Sequence, residues 1–279
     1  MEERQAPAPV YVIGDVHGEF RQLQRLLRRA EIIDHHHNWS AGNASLWFLG
    51  DLVDRGPDGI AVIDLVMRLQ KEAAACGGQV NCLLGNHELM LLAAYRFGRR
   101  STGLGSSFIT RWRRNGGQRK DLAGLTTAHL DWLMHLPVMV RVQDTILVHA
   151  DSAIYLKSGR SIDQVNEAFR GIMKHSDVLN WEELIEEFGM RGIFYHRLGG
   201  DEYIERFLSC YEGERIVHGH TPISYFSNQP AKKITEAFIY AQDRCIDVDG
   251  GMFLGGAGVI YQLPQCPAAL YDSAEKEKK

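Results

Sequence analysis

Short apolar runs alternate with amphipathic stretches along the chain, and most of the runs stop at a glycine. Val10 to Ile13 is a β-rich apolar run that breaks into Gly14-Asp15-Val16-His17-Gly18. Phe20, Leu23, Leu26 and Leu27 follow at helical spacing, so this segment predicts strand, turn and helix. Ser45 to Gly50 predicts a second strand, followed by a helix from about Pro57 to Ala75. A proline suits a helix start because its missing N–H would have no partner there. "QVNCLLGNHE" predicts a strand ending in Gly-Asn-His, with a helix continuing through Tyr95. Beyond Pro137, "VMVRV" and "TILVHA" predict a hairpin turning at Gln143-Asp144, and "RIVHGHTP", "CIDV" and "GVIYQL" predict the last strands. Such alternation indicates an α/β fold. With no repeat, low-complexity tract or linker, the expectation is one domain over residues 1–267 and a flexible tail over 268–279. Two stretches, about 96–136 and 158–206, are expected to form a helical cap over the loop end of the sheet.

Composition narrows the function classes. A net charge of −4 gives no reason to expect a nucleic-acid or membrane partner. The N-terminus lacks an apolar core of signal-peptide length, and no later run is long enough to span a bilayer. The five cysteines are odd in number and form no CxxC pair, which indicates reduced thiols in a cytoplasmic protein. Arg96 to Lys120 holds eight Lys/Arg and no acid. That stretch is either a solvated helix face or, if Arg111, Arg113 and Arg114 line an entrance, a surface that draws in an anionic substrate.

The chemistry sits where the strands stop. Asp15 and His17 lie two apart, so in an extended segment a hard oxygen and an imidazole face the same side. The pattern recurs as "GDLVDRG" (Gly50 to Gly56), "GNHE" (Gly85 to Glu88), "LVHA" with His149 and "VHGHTP" with His220. Any one of these could be a turn or a satisfied core histidine. Five in order, each at a strand end, make a metal centre. Carboxylate, amide and imidazole without thiolate suit Mn, Fe or Zn better than Ca or a dedicated Mg cage. The run His35-His36-His37 is expected in a solvated loop, His218 on the other side of its strand, and His175 and His196 on the surface or cap.

These motifs, from about Val10 to Leu263, resemble the calcineurin-like metallophosphoesterases. GNHE with an intact VDRG is similar to the PPP-type serine/threonine protein phosphatases, and "GIFYHRLG", "IVHGHTP" and "CIDVDGGMFLGG" to their Shewanella-like bacterial branch. The resemblance implies a β-sandwich flanked by helices and two divalent metal ions, Mn first, with Fe or Zn possible. Asp51 would bridge them, with Asp15 and His17 on one metal and Asn86, His149 and His220 on the other. A metal pair roughly 3.5–4 Å apart can generate hydroxide and clamp phosphoryl oxygens. His87 would be the general acid, kept protonated by Asp54. Arg55, Asn86 and Arg197 would hold the phosphate, although Arg191 lies close to Arg197. One departure stands out: His149-Ala150-Asp151 replaces the two glycines of eukaryotic members, adding negative charge beside the second metal. The implied activity is a phosphomonoesterase acting on phosphoserine or phosphothreonine in a protein, or on a small phosphorylated substrate. The alternative is a dinucleoside polyphosphate or nucleotide hydrolase. A metal-binding interaction module without activity fits less well, because every expected ligand is present.

Overall fold

Alternation along the strands decides how two sheets face each other in the computed structural model, which describes residues 8–101, 105–175, 177–195 and 199–264. In chain order the strands are β1 (Val10–Ile13), β2 (Ser45–Phe48), β3 (Gln79–Cys82), β4 (Met139–Val142) and β5 (Thr145–Val148). They continue with β6 (Arg215–His218), β7 (Phe238–Tyr240), β8 (Cys245–Asp247) and β9 (Ile260–Gln262). One sheet has the order β3-β2-β1-β9 and the other β4-β5-β6-β8-β7. In each, the strands that lead into the site motifs run parallel, with antiparallel partners at the edges.

Val10 and Val12 of β1 meet Leu147, Val217 and Ile246 of the second sheet in one buried layer. Ile13, Leu46, Phe48, Ile146 and Ile216 point outward into the larger core under the helices. The side-chain period of two places these sets on opposite faces, which makes a sandwich with helices outside it. The hairpin turns where expected, with Gln143 in the left-handed region at φ 57°.

The first helices are α1 (Phe20–Arg29), α2 (Gly59–Ala75) and α3 (Asn86–Phe97). Two details differ from the sequence expectations. Pro57 precedes the Asp58 N-cap, so it ends the loop before α2 instead of starting the helix. Asn86 and His87 form the first turn of α3, not a strand end, because β3 stops at Cys82. Strand β7 had no signal: its three residues are an edge too short for alternation to register.

The two inserted stretches are helical. The first carries α4 (Phe108–Arg114), α5 (Arg119–Gly124) and α6 (Thr127–His135). Around and within the second lie α7 (Ile154–Ser158), α8 (Ile162–Lys174), α9 (Val178–Phe188) and α10 (Gly200–Tyr211), and α11 (Ile223–Ser227) follows β6. Helix α3 packs against α4 and α9, so the cap rests on the helix that begins at the site. None of the helices of the described residues is long and apolar enough to cross a membrane. The expected tail, 268–279, lies outside the described residues.

Asn166 pins the cap to the sheet. Its buried Oδ1 accepts from Val138 N at 2.8 Å and Met139 N at 3.3 Å, and its Nδ2 donates to Met139 O at 2.9 Å. Asn166→Ala should lower the melting temperature by several degrees, since each buried group left without a partner costs about 1–3 kcal/mol. A variant that melts with the wild type in a thermal scan would contradict this anchoring.

Candidate metal centre

The sharp turns that end β1, β2 and the β6 segment aim side chains into one volume between the carboxyl edges of both sheets. His17, Asp51 and His220 adopt left-handed backbone conformations with φ of 49°, 51° and 68°. Polar residues are the non-glycines that best tolerate this region. Gly219 lets the two sheets close: a Cβ there would sit 2.6 Å from Asp15 Oδ1. That oxygen accepts the His220 N–H at 2.9 Å, which joins the end of one sheet to the other.

All six expected ligands converge. His17 Nε2 lies 3.4 Å from Asp15 Oδ2 and 3.6 Å from Asp51 Oδ2, and His149 Nε2 lies 3.4 Å from Asp51 Oδ1. Ligand atoms of His17, Asp51 and His87 fall within 4.8 Å of one another, as do those of Asp51, His149 and His220. Asp51 belongs to both groups. His17 Nδ1 donates to Val53 O and His149 Nδ1 to Leu49 O, so each turns an Nε2 lone pair inward. His220 donates through Nε2 to Gly189 O and so presents Nδ1.

The site fits cations. Asp15 Oδ2 and Asp51 Oδ2 are buried without a hydrogen-bond partner among the described residues. His149 Nε2, once Nδ1 carries the proton, faces the acceptor Asn86 Oδ1 at 3.0 Å. The two orphaned carboxylate oxygens and the His149 Nε2 lone pair set against the Asn86 oxygen are acceptors without a donor, which suits a cation between them. Burial, then the charges of Asp15 and Glu88, pushes Asp51 well above the usual carboxylate range. Burial also lifts Asp15, but the closeness of His17, then of His149 and His220, takes it below its ordinary value. Burial pulls His149 down to about 4, keeping it neutral as a ligand must be.

His87 and Asp54, expected as an acid pair, are in contact. His87 Nδ1 lies 2.8 Å from Asp54 Oδ2, and Asp54 Oδ1 accepts from Trp112 Nε1 of α4 at 2.8 Å. The carboxylate was expected to keep His87 protonated. Instead burial, then His17 and Arg55, takes His87 well below its ordinary value, and burial raises Asp54. The cost of desolvating an imidazolium outweighs the attraction of one carboxylate.

Arg55 lies over the site, its guanidinium carbon 4.1 Å from the Phe253 ring centroid. It donates to His17 Nε2 at 2.7 Å and to His87 Nε2 at 3.1 Å. Arg55, Asn86, His87 and Arg191 line a cavity of about 210 Å³. Arg197 and His196 lie outside the described residues, and Arg111 and Arg191 are the arginines that join Arg55 in lining this cavity. His218 stands apart, hydrogen-bonded to Gly219 O and the Tyr240 hydroxyl. His35 and His36 pack together on an exposed loop, and His175 is exposed.

The calcineurin-like phosphoesterase family model matches residues 8–236. The chain belongs to this family. Shewanella-like protein phosphatase 1 of Plasmodium berghei is 25% identical over 263 residues, covering 88% of this chain and 67% of that protein. A symmetrical bis(5'-nucleosyl)-tetraphosphatase of Vibrio cholerae is 34% identical over 140 residues, covering 50% of this chain and 43% of the relative. An uncharacterised Schizosaccharomyces pombe protein is 45% identical over 86 residues, 30% of this chain and 26% of its own length. The matches thus span from about a quarter to two thirds of these relatives. Among solved structures, a cold-active protein-tyrosine phosphatase of a Shewanella species shares the fold, with a TM-score of 0.70 and 23% identity over 92% of this chain and 75% of its own.

In this calcineurin-like phosphoesterase, sequence reasoning quoted Glu88 in its motif without giving it a task. Its buried carboxylate accepts from Gly85, Asp51, Leu52 and Val53 N–H at 3.0, 2.7, 2.8 and 3.2 Å. Phe253, Trp112 and the buried acids Asp247 and Asp249 were missed as well. Among these, only the two aspartates carried a signal, in the DVDG that ends β8.

Glu88→Gln replaces an acceptor oxygen with a donor facing two of those N–H groups. Outer contacts of this kind typically govern 10–100-fold in metal affinity. The variant should therefore bind Mn²⁺ about 10–100-fold more weakly and melt earlier even without metal. Metal titration and thermal scans check both; unchanged affinity would mean that the Asp51 loop holds its shape alone.

Proposed function

We propose that the chain is a dinuclear-metal phosphomonoesterase, with residues 8–264 as one catalytic unit and phosphoserine or phosphothreonine in a protein as its substrate. The observation that carries the reaction type is a cavity lined by Arg55, Asn86, His87 and Arg191 beside two groups of ligand atoms that share Asp51. Asp15, His17, Asp51, Asn86, His149 and His220 would hold two divalent ions, with Mn²⁺ the first expected. When bound, the ions supply Lewis acidity and an activated water for attack on phosphorus. The chain does the rest. Arg55 and Arg191 neutralise and orient the phosphate oxygens. As phosphate draws Arg55 away, the His87 Nε2 lone pair is freed to take a proton from solvent, and the imidazolium so formed hands that proton to the leaving oxygen, while Asp54 accepts from Nδ1 and Trp112 holds Asp54.

The exit from the cavity supports a protein substrate. Arg111, Asn115 and Glu186 are shared with a groove of about 600 Å³. Its α9 wall presents Glu182, Glu183, Glu186 and Glu187, opposite Arg111 and Arg114. Arg113 lines a different depression, so the three arginines do not form one entrance. A row of phosphates leaving by this groove would run along four glutamates, whereas a peptide would not meet that repulsion.

Dinucleoside polyphosphate hydrolysis is the second reading, favoured by the tetraphosphatase relative and by Arg111 and Arg114 in the groove. The deciding measurement is kcat/KM on a phosphopeptide and on a dinucleoside tetraphosphate under the same conditions. A large preference for the nucleotide would reverse the assignment.

Chelation should abolish turnover and Mn²⁺ restore it, since both ligand groups converge on Asp51. Turnover that survives exhaustive chelation, checked by metal analysis, would end the two-metal mechanism. His87→Asn should keep both metals and lose roughly 10²–10⁴-fold in kcat, the usual range for a general acid. Loss of a metal from this variant would instead make His87 a ligand.

A further inference from the structure

Asp151 follows His149 by two residues, and its side chain is fully buried. A carboxylate there suggests a further metal ligand, but both of its oxygens are engaged elsewhere. Oδ2 accepts the Gly192 N–H at 2.5 Å, and Oδ1 accepts the Thr221 hydroxyl at 2.8 Å. Its backbone oxygen accepts the Ile193 N–H at 3.1 Å. Gly192 and Ile193 directly follow Arg191, and Thr221 directly follows His220. Gly192 sits at φ 86°, in the left-handed region where glycine bends the chain without strain. The segment that carries Arg191 is therefore bent beside the arginine and fastened just after the bend. The fastening ties it to the two loops that bear His149 and His220.

We propose that Asp151 is a positioning residue for Arg191, clamping the arginine's backbone to the His220 loop so that the guanidinium keeps one distance from the ligand cluster. The inference rests on the reading of Arg191 as a phosphate-binding residue. Without the clamp, the Gly192 N–H loses its buried acceptor and the arginine's loop is free to shift. The ligands themselves keep their own anchors: His149 donates to Leu49 O and His220 to Gly189 O.

The test compares Asp151→Ala, Asp151→Asn, Arg191→Ala and the double variant Asp151→Ala/Arg191→Ala, all loaded with Mn²⁺. The readouts are metal content, melting temperature and the inhibition constant of inorganic phosphate against an aryl phosphate. Asp151→Ala should weaken phosphate about tenfold, the size of one lost buried charged hydrogen bond, while two metals stay bound. Asp151→Asn should stay within about threefold of wild type, because its carbonyl can accept from Gly192 while its amide donates to the Thr221 hydroxyl. In the Arg191→Ala background, Asp151→Ala should change phosphate binding less than about twofold, as residues acting through one another are not additive. Additive losses, loss of a metal from Asp151→Ala, or an Asn variant as weak as the Ala variant would each overturn the proposal. So would an Arg191→Ala variant that binds phosphate as wild type does. If Asp151→Ala does not fold, Thr221→Val removes one side of the clamp. It should weaken phosphate in the Arg191 enzyme and not in Arg191→Ala; an equal effect in both would overturn the proposal. A wild-type protein that hydrolyses no phosphate ester would instead remove the phosphatase reading itself, an outcome visible before any variant is compared.

Discussion

Four backbone N–H groups ending on one buried carboxylate hold the rest of the centre in register. Glu88 takes them from Gly85, at the start of α3, and from Asp51, Leu52 and Val53, in the loop after β2. Those two segments together supply Asp51, Asp54, Arg55, Asn86 and His87. Burial lifts Glu88 to about 7 against the downward pull of the four donors. Its charge also helps to raise Asp51. The arrangement gathers three buried acids, Asp15, Asp51 and Glu88, close to one another. Glu88 takes four backbone N–H groups, whereas Asp15 and Asp51 each accept one through Oδ1, from His220 and His87, and keep an unpartnered Oδ2 that suits a cation.

Backbone strain is stored in the same place. Asp54 and Arg55, like His17, Asp51 and His220, lie in the left-handed region, with φ of 67° and 63°. Each such residue costs of order 1–3 kcal/mol and persists only where its surroundings over-determine it. Here the surroundings are rigid: Val16 and His17 N–H both bond to Asp51 O, and Gly56 N–H bonds to His17 O. The first two motifs therefore lock each other. A relaxed turn would send these side chains outward, so the bent backbone is what turns strand ends into a concave site.

That division explains what the sequence could reveal. The candidate ligands were legible as a set because they follow short apolar runs, and period and punctuation are local signals. The α/β class followed from the same alternation, whereas the sandwich was implied only by the resemblance of the motifs to a known family. Contacts between distant residues left no such trace. Glu88 meets residues some 35 positions away, and Trp112 meets Asp54 across 58. Arg191 and Arg197 are six residues apart in a segment without periodicity, so spacing could not say which faces the cavity. The depressed His87 pKa was hidden for another reason, because burial is a property of the fold and not of the neighbour in the motif.

Helix α4 shows how little of the basic stretch acts as a field. Trp112 is fully buried and ends on Asp54. Arg113 faces one depression while Arg111 and Arg114 face the groove. Arg111 is already paired across the cleft with Glu186 of α9 at 2.5 Å. Exposed pairs of this kind contribute little and are screened by salt. The groove at the mouth sets four glutamates against two arginines, so it does not draw an anion in. Attraction for an anion must come chiefly from Arg55, half-buried beside the ligands and less screened than the exposed Arg191. The single turn of α4 that buries Trp112 also presents Arg111, so the helix that orients the acid pair sets the width and charge of the route to it.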